Sequence, residues 1–218
     1  MDYTRYKMCR IIGIRTNNSE DQSHRIKLFA DTCKNSQEYQ GHGWGCAWKE
    51  NGLWKEYHSI NPIWEDNIPI INTRILLVHA RSAFQNEGIT IQNTMPFKSH
   101  DNKTVFIFNG ELRGVRIRME GRIGAEKIFN YIMSLSDKSI FEGMDKAIKI
   151  IEKRTKYIRA MNIIIGHDDN LYYCCYHNQD QAYYTLHKCS RHDITMVSSE
   201  PIDNNGWEII RNKTMGEF

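Results

Sequence analysis

Met8-Cys9-Arg10-Ile11-Ile12-Gly13-Ile14 reads MCRIIGI, and the fold turns on how that stretch is read. Ile11, Ile12 and Ile14 around Gly13 form a short apolar run, so residues 9–14 are expected as a buried strand. The run opens on Met-Cys, which has the look of a chain start. Yet seven residues, MDYTRYK, stand in front of it. A cysteine that begins a chain carries a free α-amine beside its thiol. A cysteine inside a chain carries an amide there, and an amide is no base. Residues 1–8 are therefore expected to be an extension or propeptide. Met8 is the expected functional start, with the seven residues before it an assignment artefact and a self-cleaved propeptide as the other route.

Outward from that stretch, 218 residues suit a single domain, here 9–218, large enough to bury a substantial core. The net charge of +3, from 29 basic and 26 acidic residues, is too small to point to nucleic acid. No apolar run approaches the ~20 residues of a membrane-spanning helix, and the N-terminus has no signal-peptide core. No nucleic-acid or membrane partner is expected. The six cysteines form no CxxC, so a reducing cytoplasm is expected, with five of them buried as free thiols. His187, Cys189 and His192 are close in sequence but match no ligand spacing, so no metal is expected.

Hydrophobic periodicity supplies the elements. Ser19-Glu20-Asp21-Gln22 fits a capping box, and Ile26, Phe29, Ala30 and Cys33 follow at helical spacing, predicting a helix over 20–34. Asn51-Gly52 between two aromatic-rich runs predicts a hairpin over 43–57. Residues 74–81 and 105–108 read as buried strands, with 98–103 a loop between them. Ala125 to Met133 and Ile140 to Ile151 each carry one apolar face, the second capped by Ser139 with Glu142. Strands are expected at 160–166, 171–177, 182–187 and 194–199. This order is not the regular alternation of a parallel doubly wound sheet. A layered α/β domain of mostly antiparallel strands fits better.

Cys9, His79, Arg81, Asn93, Asn109 and Gly110 stand where strands end or turns begin, where sites are built. Each alone has a plain reading. Arg81 suits a surface arginine, Asn109-Gly110 a tight turn, and His79 a hydrogen-bonded core histidine. Their order is more specific. The stretches MCRIIGI (8–14), GWGCAW (43–48), VHARSA (78–83), NTMPF (93–97), FNGEL (108–112), GAEKIF (124–129) and SSEPI (198–202) run along nearly the whole chain. In this order they resemble the class II glutamine amidotransferases, closest to the stand-alone type.

That resemblance implies an N-terminal-nucleophile hydrolase fold, a four-layer αββα sandwich of the α+β class with mostly antiparallel sheets. It implies that Cys9 attacks the side-chain amide of glutamine, giving a glutamyl thioester and ammonia, with its own α-amine as base. A free α-amine titrates near ~7.7–8.0, close to working pH. Asn109 and the Gly110 N–H match the oxyanion hole. Arg81 matches the clamp on the substrate α-carboxylate. His79, Trp44, Asn93 and Phe97 match positions that bind substrate or shape its pocket. No cofactor is implied. The partners implied are a glutamine-like or γ-glutamyl small molecule and, unless ammonia is released, a separate ammonia-accepting protein.

Four positions depart from the family pattern. Gly124 stands where an aspartate would pair with the substrate ammonium, Met95 and Phe108 replace histidines, and His42 replaces an aspartate. Loss of the ammonium's partner alone is expected to weaken binding by ~1.5–3 kcal/mol. Two readings follow. One is an amidohydrolase for glutamine or another γ-glutamyl or small amide, whose amine is absent, blocked or held by another acid, with Glu111 and Glu120 as candidates. The other is a catalytically impaired member that acts as a ligand-binding or regulatory partner subunit.

Overall fold

A computed structural model describes residues 8–218. The expected 1–8 extension therefore lies outside the described residues except for Met8. The first strand, β1 (Arg10–Asp21), is twice as long as the apolar run suggested. It continues past a register shift, where Glu20 and Asp21 pair with Thr73 and Asn72 at the start of β4 (Asn72–Ala80). The helix α1 (Ser23–Lys34) begins later than the capping box placed it. Gln22 is its N-cap and makes no side-chain cap bond, so the Ser19–Gln22 box does not form. The Asp21 carboxylate instead accepts from the Ser23 N–H at 2.9 Å and the Ser23 hydroxyl at 2.5 Å.

The hairpin forms as read. β2 (Trp44–Glu50) and β3 (Leu53–Ser59) turn at Asn51 and Gly52, whose φ values of 51° and 78° are those a primed two-residue turn needs. After β4 come a two-residue β5 (Phe97–Lys98) and a long β6 (Thr104–Val115). The two helices follow as α2 (Gly124–Ser134) and α3 (Ile140–Arg154). The Ser139 hydroxyl accepts from the Glu142 N–H, as the capping signal predicted. β7 (Thr155–His167) and β8 (Asn170–Cys175) are the next hairpin.

The strand expected at 182–187 is a correction. Gln181–Tyr184 forms a helical turn, α4, because Thr185 and Tyr184 bond back to Gln181 and Asp180. Its aromatic residues carry β propensity, but local turn bonds win. β9 (His187–Arg191) and β10 (Ile194–Ser198) then pair, and two short strands, β11 (Trp207–Ile209) and β12 (Thr214–Glu217), gave no periodic signal.

The strands make two sheets, ordered β11-β9-β10-β1-β4-β2-β3 and β12-β8-β7-β6-β5, and every ladder is antiparallel. One core fills the space between the sheets and under α2 and α3. A second lies between the larger sheet and α1. The layers are thus helix, sheet, sheet, helix. The expected four-layer α+β sandwich is what forms.

Strand parity decides which residues can meet. On β1 and β4, Ile11, Ile75 and Leu77 face the second sheet, whereas Ile12, Ile14, Leu76 and Val78 face α1. Cys9, His79 and Arg81 share the parity of the first set. Gly13 shares it too, and a Cβ there would lie 3.0 Å from the Phe218 ring and 3.1 Å from Ile164. Only glycine lets the two sheets approach so closely at that point.

Candidate active site

Cys9 stands just before β1, partly buried, beside the chain that leaves β4. Its Sγ accepts from the Ser82 N–H at 3.4 Å and donates to the Ser82 carbonyl at 3.7 Å. Burial pushes the thiol pKa up, while the Ser82 backbone and the Arg81 charge pull it back. The net effect favours the neutral thiol, so the nucleophile needs a base. The side-chain charge that acts on it is that of Arg81.

Arg81 is 7% exposed and has no carboxylate within 4 Å among the described residues. Its Nη1 has no hydrogen-bond partner there. Burial lowers its pKa, and the Cys9 thiolate opposes that. A buried guanidinium without a counter-ion is costly unless an anion arrives to pair with it. The backbone that carries it is fixed: Arg81 N–H donates to Gly43 at 2.8 Å, and its carbonyl accepts from His42 N–H at 3.0 Å. The His42 Nδ1 accepts from Ala83 N–H at 2.9 Å. His42 thus organises the 81–83 turn through its ring.

Asn109 lies on β6, fully buried, opposite Asn162 on β7. Neither its Oδ1 nor its Nδ2 has a partner among the described residues. Asn162 has a different task, donating to the Tyr184 carbonyl and accepting from the Tyr176 N–H. An unused amide in the interior is expensive and marks a place where a ligand or reacting group can supply the missing bonds.

Cys9, Arg81, Asn93 and Gly110 line one cavity of about 970 Å³. Asn93 closes the loop before it, donating to the Gly88 carbonyl at 3.1 Å. Trp44, His79, Phe97 and Asn109 are not among the residues that line this cavity. Trp44 has the opposite parity on β2: it is buried toward α1 and donates to Asp66 at 2.9 Å. His79 sits deeper between the sheets, fully buried, with neither ring nitrogen bonded. Burial lowers its pKa to about 3, so it is neutral. Phe97 lies behind Arg122, whose guanidinium is 5.6 Å from its ring centre. Glu120 lies outside the lining, and Glu111 lines the cavity but is bound by Arg113 and Arg159.

Two further residues bear on Cys9, and no motif announced them. The Met8 carbonyl accepts from Gln40 Nε2 at 2.6 Å and from the Tyr183 hydroxyl at 2.8 Å. Tyr183 is itself held by Arg10, whose guanidinium stacks 3.9 Å from its ring centre and bonds its carbonyl. Arg10 in turn pairs with Glu200 at 2.6 Å, and the Ser199 hydroxyl accepts from the Ile11 N–H at 3.0 Å. The SSEPI segment therefore fixes the strand that begins at Cys9. The apolar cavity wall was also missed, although Val115, Ile117 and Met119 alternate with Arg116, Arg118 and Glu120.

Comparison with known proteins agrees with this architecture. No protein-family model matches the sequence, and no curated protein matches significantly. Among solved structures, the chain is similar to a glutamine aminotransferase class-II domain protein from Silicibacter pomeroyi. There the TM-score is 0.65 at 16% identity, covering 95% of this chain and 93% of that one. It is similar to a predicted glutamine amidotransferase from Pseudomonas aeruginosa, with TM-score 0.62, 15% identity and coverage of 96% and 97%. It is also similar to the glutamine phosphoribosylpyrophosphate amidotransferase of B. subtilis, with TM-score 0.64 and 14% identity over 93% of this chain. It spans only 49% of that enzyme's length. The fold is the N-terminal-nucleophile sandwich. The class II glutamine amidotransferase domains among these structures share this fold.

Proposed function

We propose that this chain is a class II glutamine amidotransferase-type amidohydrolase that cleaves glutamine or a related γ-glutamyl amide through Cys9. The observation that carries the reading is the meeting of a half-buried cysteine, an unpaired buried arginine and Gly110 at one cavity, with the unsatisfied Asn109 beside Gly110 on β6. In this mechanism the Cys9 thiol gives its proton to its own α-amine and attacks the amide carbon. Asn109 Nδ2 and the Gly110 N–H hold the developing oxyanion, and Arg81 pairs with the substrate carboxylate. Ammonia leaves with the proton, and water cleaves the thioester. The raised thiol pKa means that the thiol needs a base, and this supports a role for the α-amine.

The α-amine exists only once residues 1–8 are gone. The test compares the 218-residue chain with one beginning at Met8, after intact-mass measurement of each. The chain processed to Cys9 is expected to release ammonia from a panel of γ-glutamyl amides and to be labelled by a glutamine-like electrophile. Cys9→Ala abolishes both, a loss of at least about 10³. Equal labelling of an unprocessed chain would show that the α-amine is not the base. The impaired-subunit reading is favoured by one observation, the glycine at 124. It predicts no labelling but ligand-dependent thermal stabilisation.

A further inference from the structure

The cavity extends well beyond Cys9 and Arg81. At about 970 Å³ it lies at the upper end of the ~300–1,000 Å³ usual for small-molecule sites, several times the volume of glutamine itself. Its far wall is apolar, formed by Val115, Ile117, Met119, Ile123, Ile128 and Tyr131. Gly124, the first residue of α2, stands within that wall between Ile123 and Ala125. A Cβ placed on Gly124 would meet nothing within 4 Å.

Charge in the lining is lopsided. Arg113 pairs with Glu111, and Arg122 with Glu126. Of the remaining lining residues, Arg81 and Lys127 are cations without an ion-pair partner among the described residues, and Glu87 is the carboxylate without one. Glu87 also lines the cavity, on the exposed loop at its Arg81 side, next to Gly88, where an added Cβ would lie 4.0 Å from Arg81 Nη2. On the Gly124 side a free ammonium would face apolar side chains, an open glycine and the Lys127 cation, with no carboxylate among the described lining residues of that wall. Desolvating it there is unfavourable.

We propose that the substrate carries its amino group masked by an apolar acyl chain: an N-acylated glutamine-type amide. Its α-carboxylate pairs with Arg81, and the acyl chain lies along the wall from Val115 to Ile128. This deepens the amidohydrolase reading and rests on it. Sγ bonds to the side-chain amide carbon as the carbon–nitrogen bond breaks, and ammonia leaves with the thiol proton. Water then splits the thioester, giving the N-acylglutamate and restoring the thiol. Water is the only co-reactant.

The test uses protein processed to Cys9 and measures kcat/KM for ammonia release from glutamine and from its N-acetyl, N-butyryl and N-octanoyl derivatives. The expected series rises with chain length, by up to about fourfold per methylene buried, with N-octanoylglutamine at least tenfold better than glutamine. Gly124→Asp places a carboxylate at a helix N-terminus, a favoured position that leaves folding intact. It is expected to shift the glutamine-to-octanoyl ratio at least tenfold toward glutamine, with Tm unchanged or raised. A flat or falling series, or a ratio unmoved by Gly124→Asp, overturns the proposal while ammonia release preserves the amidohydrolase reading. Release from none of the four, together with no covalent labelling of Cys9, overturns both.

Discussion

The two ends of the cavity are built on opposite terms. At one end Cys9, Arg81 and Gly110 sit at or beside the ends and middles of long paired strands, next to an Asn109 whose side-chain polar atoms have no partner among the described residues. At the other, Val115 to Ile123 and the first turns of α2 offer apolar side chains from an irregular segment. The first end bears the energetic cost of unsatisfied groups and is held in register by hydrogen bonds on both sides. The second carries Arg122 and Lys127 among its apolar side chains, and beyond Val115 it has no ladder to align it. Chemistry demands fixed geometry, whereas accommodation of an apolar group demands area and shape.

The contrast can be broken most sharply at Asn109. Asn109→Ala is expected to lower kcat by about 10²–10³ with little change in KM, because an oxyanion donor acts only in the transition state. A pure KM effect would place Asn109 in ground-state binding and remove the distinction. Arg81→Gln should act the other way, raising KM about 10–100-fold for carboxylate-bearing amides through loss of a charge-assisted pair. Steady-state kinetics against an amide lacking the carboxylate should show the penalty vanish.

The last test concerns stability rather than rate, at the floor beneath the polar end. His79 titrates near 6.5 in the unfolded chain and at about 3 when folded, because burial excludes its charged form. The unfolded chain therefore binds the extra proton first as pH falls. The stability His79 permits is complete above about pH 6.5 and declines toward pH 3, by at most about 1.4 kcal/mol per unit. Denaturant unfolding as a function of pH measures this slope, and His79→Leu should flatten it. An unchanged slope would mean that His79 does not carry it.

The sequence made the two ends unequally legible. Cys9, Arg81, Asn109 and Gly110 could be found because reactive and recognition groups are chemically distinctive and their order is restrictive. The sandwich could be read because Ile11 to Ile14, Asn51-Gly52 and the α2 and α3 faces carry strong periodic or turn signals. Trp44 misled, since an aromatic residue in a motif does not reveal its parity on a strand. Gln40 and Tyr183 were silent because their role depends on a meeting with Met8 across long sequence separations. β11 and β12 were silent for a related reason: strands of three and four residues are too short to show a period.

The open space around Gly124 has a consequence for descent as well as for binding. Glycine codons ending in a pyrimidine become aspartate codons by a single base change. The residue that decides between a charged and a masked amino group is thus one mutational step from its alternative, at a site where no neighbouring atom stands in the way. A change of diet in such a protein requires no remodelling of the sandwich, and lineages could cross that boundary in either direction while the strands that hold Cys9 stay as they are.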